Sequence, residues 1–366
     1  MLTLLERDFA SFFEVPFKVY GPRSPYVSPM RSDLARFLSV KNPLFKSDDD
    51  FTYFTAIKDG VFVGRITAHL HRAALNIHDA HTCYFGFFDC ADDLVVAHAL
   101  LRAAEEWAVM KGMARLVGNF NLTAMQQIGV MTHGFEHMPF TDHIWSPQYL
   151  QRLLTENGFV KSFPMTTFSM SLGLQNKMLP DEARLQLLEE GFSFAPINRK
   201  TIYDRLEDAR GILNTSFKDN PMFVPVSEQE FHFQAKDMKW IMDRRISKVV
   251  YFEGKAAGAI IAIPDLNPLL KKINSRMSLS LPLHYLRYRS QRDRAIVIFQ
   301  GVLPEFQRRS VNPLMLSEMI KDMRVAGYKT VGGTWISDQN TASLRQTEKS
   351  GASALHKLHL FGKELV

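Results

Sequence analysis

Along the chain, one order of apolar and polar stretches is written twice. FTAIKDGVFVGRITAHL and VVYFEGKAAGAIIAIP each place apolar runs on either side of a turn, Asp59-Gly60 in the first and Glu253-Gly254 in the second. That pattern predicts a β-hairpin in each. YFGFFDCADDLVVAHALLRAAEEWAVMKGMARLVGN and IFQGVLPEFQRRSVNPLMLSEMIKDMRVAGYKTVGG each read as strand, loop, amphipathic helix, glycine stop and strand. LTENGF and TEKSGA each end a helix, at Gly158 and Gly351. Three matched blocks in one order predict two copies of one α/β domain, residues 1–172 and 173–366, each a mixed twisted sheet flanked by helices.

The spacing of the matches shows where the copies differ. Gly60 and Gly254, like Gly64 and Gly258, lie 194 apart; Gly112 and Gly327, like Gly118 and Gly333, lie 215 apart; Gly158 and Gly351 lie 193 apart. The second copy therefore gains 21 residues after its hairpin, and the first carries 22 extra, covering NLTAMQQIGVMTHGFEHMPFTD. Insertions on a repeated scaffold are usual places for function.

Composition narrows the class. The 366 residues are 46% hydrophobic and 22% charged, as in a folded globular protein. No run of 18 apolar residues is present, and Glu6, Arg7 and Asp8 interrupt the N-terminus where a secretory signal needs an apolar core. The two cysteines, Cys83 and Cys90, are too few for a disulfide framework, so a reducing cytoplasm is expected. The formal net charge is +6. Residues 266–294 hold seven basic side chains (Lys271, Lys272, Arg276, Arg287, Arg289, Arg292 and Arg294) against Asp293, and so carry the whole excess. A uniformly basic nucleic-acid binder is excluded; a local anion-binding or membrane-facing surface is not.

The candidate chemistry begins in the second copy. AIVIFQGVLP reads as a buried strand, EFQRRSVN as a polar loop, and PLMLSEMIKDMRVAGY as a helix with Pro313 in its first turn. Free N–H groups and the helix dipole make such a loop an anion site. The block resembles the acyl-CoA-binding motif of the GNAT N-acyltransferase superfamily: a strand ending V-x-P, then Q/R-x-x-G-x-G/A, then a helix. Here Val302-Leu303-Pro304 precede Gln307, Arg308, Arg309, Ser310, Val311 and Asn312. Gln307 and the spacing match; Ser310 and Asn312 stand at the two small-residue positions. WISDQNTASLRQTEKSGA resembles the family's last motif, in which an Asn, here Asn340, opens the final helix and meets the cofactor. The family's usual tyrosine falls at Thr347.

Val63-Gly64-Arg65-Ile66, FGFFDCADD, GNFNLTAMQQIGVMTHGFE, PMTTF, IPDLN and GVLPEFQRR extend the resemblance over about residues 15–360. They are most similar to the bacterial ceramide synthase branch, tandem GNAT enzymes that transfer a fatty acyl group from acyl-CoA to a sphingoid-base amine. The resemblance implies acyl-CoA as co-substrate, a lipid amine as acceptor and one cofactor in the second copy. In the first copy Asp92 and Asp93 stand where Gln307 and Arg308 stand, and they would repel a pyrophosphate.

N-acylation needs a neutral amine and a donor to the thioester oxygen. The N–H of Leu303 is the expected donor. Glu136 or His133 is the expected base, the two being on one face if that segment is helical. Asn119, Asn121, Gln126 and Asp142 are expected to hold the acceptor. No metal is expected. Leu266, Leu270, Ile273 and Met277 form one helical stripe, and with the basic residues of 266–294 they predict peripheral contact with an anionic membrane. A monomer is expected. Two rival readings stay open: an N-acetyltransferase for a small amine or peptide, and a non-catalytic GNAT-like binding protein.

Overall fold

The computed structural model describes residues 1–365 except 174–177, 196, 198–199, 221 and 237. The first half runs β1 (Leu2–Glu6), α1 (Phe9–Val19), α2 (Arg31–Phe37), β2 (Phe51–Lys58), β3 (Val61–His69), α3 (Arg72–Ile77), β4 (Thr82–Cys90), α4 (Leu94–Met110), β5 (Arg115–Gly118), β6 (Val130–His133), α5 (Tyr149–Glu156) and β7 (Val160–Ser171). The second runs α6 (Asp181–Glu189), β8 (Phe192–Phe194), α7 (Ile202–Ser216), α8 (Glu228–Ala235), α9 (Met238–Ile241), β9 (Lys248–Phe252), β10 (Lys255–Pro264), α10 (Asn267–Lys272), α11 (Leu281–Gln291), β11 (Arg294–Val302), α12 (Val311–Val325), β12 (Thr330–Ser337), α13 (Thr341–Lys349) and β13 (Ser353–Glu364). The two hairpins turn on Gly60 and Gly254, both at φ +81, where a side chain would be strained.

The strands of the described residues form one mixed sheet in the order β1-β2-β3-β4-β5-β13-β7-β12-β11-β10-β9-β8, with β6 also paired to β13. The halves exchange their last strands. β13 closes the first half by pairing with β5, and β7 closes the second by pairing with β12. At the seam β7 and β13 pair antiparallel, Ser353 with Ser169 and Phe361 with Lys161. The boundary near residue 172 thus divides two copies in sequence but not two separate sheets. Each half has its own core. α4 and α5 cover the first through Leu100, Leu101, Leu153 and Leu154, and α12 covers the second through Leu314, Met315, Met319 and Met323. On the other face of the second half, α7 packs Leu206, Ile212 and Leu213 against Ala259, Ile261 and Phe299.

The basic insertion departs from its expected form. The stripe from Leu266 to Met277 is not one helix. α10 stops at Lys272, and Asn274 and Ser275 turn the chain at φ +48 and +54. The following apolar alternation is helix α11, started by Pro282 in its first turn. Leu269 is buried, whereas Met277, Leu279, Leu283 and Leu286 are exposed. No helix of the described residues is long and apolar enough to cross a membrane.

Candidate functional site

β11 pairs with β10 down to Val302 but with β12 only from Arg294–Thr330 to Val297–Gly333. Beyond Gly333 the two parallel strands part, and the backbone edges facing the gap lose their strand partners. The gap is a fork in the middle of the sheet, roofed by α12 and α13. A cavity of about 240 Å³ occupies it, lined by Ile298, Phe299 and Gln300, by Thr334–Ser337, by Asn312 and Leu316, and by Asn340, Ser343 and Thr347. Asn340 caps α13 by accepting from the N–H of Ser343 at 3.1 Å. α12 has no side-chain cap: Ser310, at its N-cap position, is left-handed at φ +58. Its first N–H groups therefore face the loop as uncapped donors.

The loop residues differ in how far the protein engages them. Gln307 and Arg308 are exposed, and Arg308 makes no ion pair among the described residues. Arg309 pairs with Glu190 at 3.3 Å and lies over Phe192 and Phe252, so its charge is already used. Val311 is buried, and Asn312 accepts a hydrogen bond from Gln300. Leu303 does not supply an oxyanion donor. Its N–H is spent on the carbonyl of Ala257 in β10 at 2.9 Å, the last rung between those strands. The carbonyl of Val302 accepts from Ser216 and Gln307, at 3.1 and 3.3 Å.

Three comparisons bear on this geometry. No family model matches the chain. The bacterial ceramide synthase of Caulobacter vibrioides is 23% identical over 98% of this chain and 95% of its own length. A tandem GNAT protein from the clavulanic acid biosynthesis pathway superposes with a TM-score of 0.59 at 11% identity, over 100% of this chain and 99% of its own. A GCN5-related glucosamine N-acetyltransferase region of a fungal multi-domain β-N-acetylglucosaminidase gives 0.60 at 12% identity; 99% of this chain matches 38% of that longer one. The chain has the tandem GNAT fold. The enzyme class expected from the sequence, an N-acyltransferase, agrees with both the named relative and the fold.

In the first GNAT half, the equivalent fork is shut. β4 and β5 also part after Phe85–Gly118, but the chain following β5 fills the gap. The N–H of Phe120 donates to the carbonyl of Phe85 at 2.7 Å. Asn119 Oδ1 accepts from the N–H of Phe88 at 3.1 Å, and Asn121 Oδ1 from that of Phe87 at 2.6 Å. Asn121 Nδ2 then donates to Gln127, whose amide donates to the carbonyl of His143. At the head of α4, Asp93 caps the N–H groups of Val95 and Val96 and pairs with Lys58, while Asp92 pairs with Arg152.

The expected acceptor residues separate accordingly. Asn119 and Asn121 are buried and occupied in this plug, although Asn121 also borders the larger cavity described next. Glu136 and His133 lie outside the residues that line either cavity. They do not share a helix face: His133 ends β6, and Gly134 (φ +85) turns the chain with no room for a Cβ, 2.2 Å from the Leu355 carbonyl. Glu136 is exposed beside His137. Among the described residues no group of three or more His, Cys, Asp or Glu side chains is placed to hold a metal.

Gln126 and Asp142 do reach the fork. Together with Met125, Leu213, Ile298 and Phe299 they form the common wall between the fork cavity and a second one of about 590 Å³. The second cavity has apolar walls, including Met30, Phe37, Leu206, Ile263, Leu270 and Ile273, and α11 closes it with Leu281, Pro282 and Tyr285. Burial and the nearby Asp265 carboxylate push the Asp142 carboxyl up to about 6. The walls of this cavity were not readable from sequence. Phe299 and Leu213 sit in ordinary apolar runs, and only the parting of β11 from β12 and the packing of α7 leave space beside them.

Proposed function

We propose that this protein is an acyl-CoA-dependent N-acyltransferase for a long-chain, sphingoid-base amine. The observation that carries the reading is the open fork of the second half, with an uncapped helix N-terminus at its mouth and a large apolar cavity at its inner end. Loop N–H groups, Gln307 and Arg308 suit a pyrophosphate. The pantetheine arm fits the parted edges of β11 and β12, whose free amides supply hydrogen bonds along it, and Asn340 and Thr347 line the same channel. The larger apolar cavity suits an alkyl chain far better than an acetyl group or a hydrated small amine. The named relative supports the same substrate class. Incubating the purified protein with sphinganine and either palmitoyl-CoA or acetyl-CoA, with products read by mass spectrometry, tests it. An N-palmitoyl product is expected. Acetyl transfer alone returns the small-amine reading, and no transfer with any acyl-CoA returns the binding-protein reading.

Such a substrate resides in a bilayer, so the enzyme must visit one. Met277, Leu279, Leu283, Leu286 and Trp240 are exposed around the element that closes the apolar cavity. Four of the seven basic residues are tied down: Lys271 to the Ser24 carbonyl, Arg276 to Glu14, Arg292 to Asp243 and Arg294 to Asp265. Lys272, Arg287 and Arg289 carry no ion pair among the described residues. These three, with the exposed leucines, form the anionic-membrane contact. Binding to phosphatidylglycerol-containing vesicles is expected, weakening with salt and lost when all three become glutamate. Unchanged binding by that variant removes the membrane from the reading.

A further inference from the structure

We propose that Asp142, carried by the first half, binds the ammonium group of the acceptor and takes its proton; this rests on the N-acyltransferase reading above. Its neighbours in sequence are both locked to the second half. The Thr141 N–H and hydroxyl donate to Asp265 Oδ1 at 2.9 and 3.0 Å, and the N–H of Leu266 donates to the Thr141 hydroxyl at 2.7 Å. On the other side His143 Nε2 donates to the carbonyl of Gly333 at 2.9 Å. Gly333 is the last residue of β12 paired with β11. Asp142 is thereby fixed across the seam, at the root of the fork, with a left-handed backbone at φ +64.

Asp142 is exposed, and it borders both cavities. No hydrogen bond or ion pair engages it among the described residues. A carboxylate without a partner that faces apolar cavity walls is poorly solvated, and a cationic ligand in the cavity supplies the missing partner. Among the described charged residues that line the two cavities, this role falls to Asp142. Asp265 is saturated by Thr141, the N–H of Asn267 and Arg294. His143 is held as the neutral Nε2–H tautomer, its protonation pushed down to about 3 by burial. Asp33 and Arg36, further along the apolar cavity, pair with each other.

In the reaction, the acceptor R–NH₃⁺ gives one proton to the Asp142 carboxylate. The freed lone pair on nitrogen attacks the thioester carbon. The C–S bond then breaks, the thiolate takes a second proton from the nitrogen, and the amide keeps the third. Asp142 returns its proton to solvent. A carboxyl that titrates near 6 is closer to the working pH than an ordinary carboxylate and so a better acceptor.

Asp142→Asn keeps shape and tolerates the left-handed backbone. Binding of dodecylamine and dodecanol is measured by calorimetry, and transfer from palmitoyl-CoA to dodecylamine by mass spectrometry. Expected are dodecylamine binding at least 10-fold weaker, dodecanol and palmitoyl-CoA binding unchanged, and turnover about 100-fold lower at pH 7. The wild-type rate should fall as pH drops through about 6, and the variant should lose that limb. Folding is followed separately. The raised carboxyl favours the folded state when protonated and opposes it when ionised, so the stability difference between wild type and variant should move in favour of wild type as pH falls from 7 toward 4. The variant should melt no lower than wild type at pH 7. Wild-type protein that binds dodecylamine no better than dodecanol, or a variant that turns over within threefold of wild type, overturns the proposal. Wild type that prefers dodecylamine but transfers no acyl group overturns the enzyme reading and leaves the ammonium site standing.

Discussion

At equivalent points of the two halves, the same scaffold ends in opposite chemistry. Both have parallel strands that part, a loop and a covering helix. In the first half the gap is closed by the protein itself: Asn119 and Asn121 take the N–H groups of Phe88 and Phe87, and Asp93 caps α4. In the second, Thr334 stands at the position of Asn119 and reaches only the Ile298 carbonyl at 3.3 Å, and α12 starts two residues later than α4 relative to the repeat, without a cap. What differs is not the fold but who satisfies the backbone donors. A half that satisfies them internally is a structural partner. A half that leaves them open has donors to offer a ligand, at a fork that the insertion of its closed twin also borders.

The sharpest break of this comparison is at Gly86 and its counterpart Gly301. A Cβ on Gly86 would lie 1.7 Å from the Phe120 carbonyl oxygen, where the plug presses on β4. On Gly301 it would meet only side chains, Ser216 at 3.0 Å and Ile212 at 3.4 Å. Gly86→Ala should cost about 3 kcal/mol or more in urea unfolding, and Gly301→Ala less than about 1 kcal/mol. Equal costs would mean that the first fork is no tighter than the second.

Next in size is the cofactor itself. Calorimetry should give one palmitoyl-CoA per chain. Arg308→Glu should weaken it at least 10-fold, about 1.4 kcal/mol, by replacing a free cation with an anion at the loop. Asp92→Ala should leave it within twofold, because Asp92 meets only Arg152 at the exposed head of the closed half. Two equivalent sites would erase the distinction between the halves.

The repeat, both hairpins and the strand, loop and helix order from β11 to α12 were legible because each rests on local patterning and turn chemistry. The strand exchange was not. β7 and β13 carry the same pattern whichever half they close, and only long-range pairing decides between them. The expected donor at Leu303 failed for a similar reason: a strand residue's N–H points to one neighbour or the other, and the pairing with Ala257 settles it. Glu136 and His133 had helical spacing, but Gly134 lies against β13 with no room for the side chain a helix would carry there. Asp142 was visible only as one polar residue of a rich insertion. Its distinction comes from Thr141 and His143 being bound to elements more than a hundred residues away.

The smallest predicted effect concerns Ser310 and its counterpart Val95. Ser310 stands at a small-residue position of the loop and is left-handed, a conformation that costs a non-glycine residue about 1 kcal/mol. Glycine removes that cost but adds freedom to the unfolded chain, so Ser310→Gly should stabilise by a net ~0.5 kcal/mol. Val95 lies in the first turn of α4, exposed and in ordinary helical geometry. There the change can only lose helix preference, so Val95→Gly should destabilise by a similar ~0.5 kcal/mol. Opposite signs at matched positions, read by urea unfolding, would mean that the open loop holds a strained turn which the closed half has exchanged for a capped helix. Destabilisation by both would mean that the turn at Ser310 is relaxed. The open loop would then differ from the closed one in charge alone.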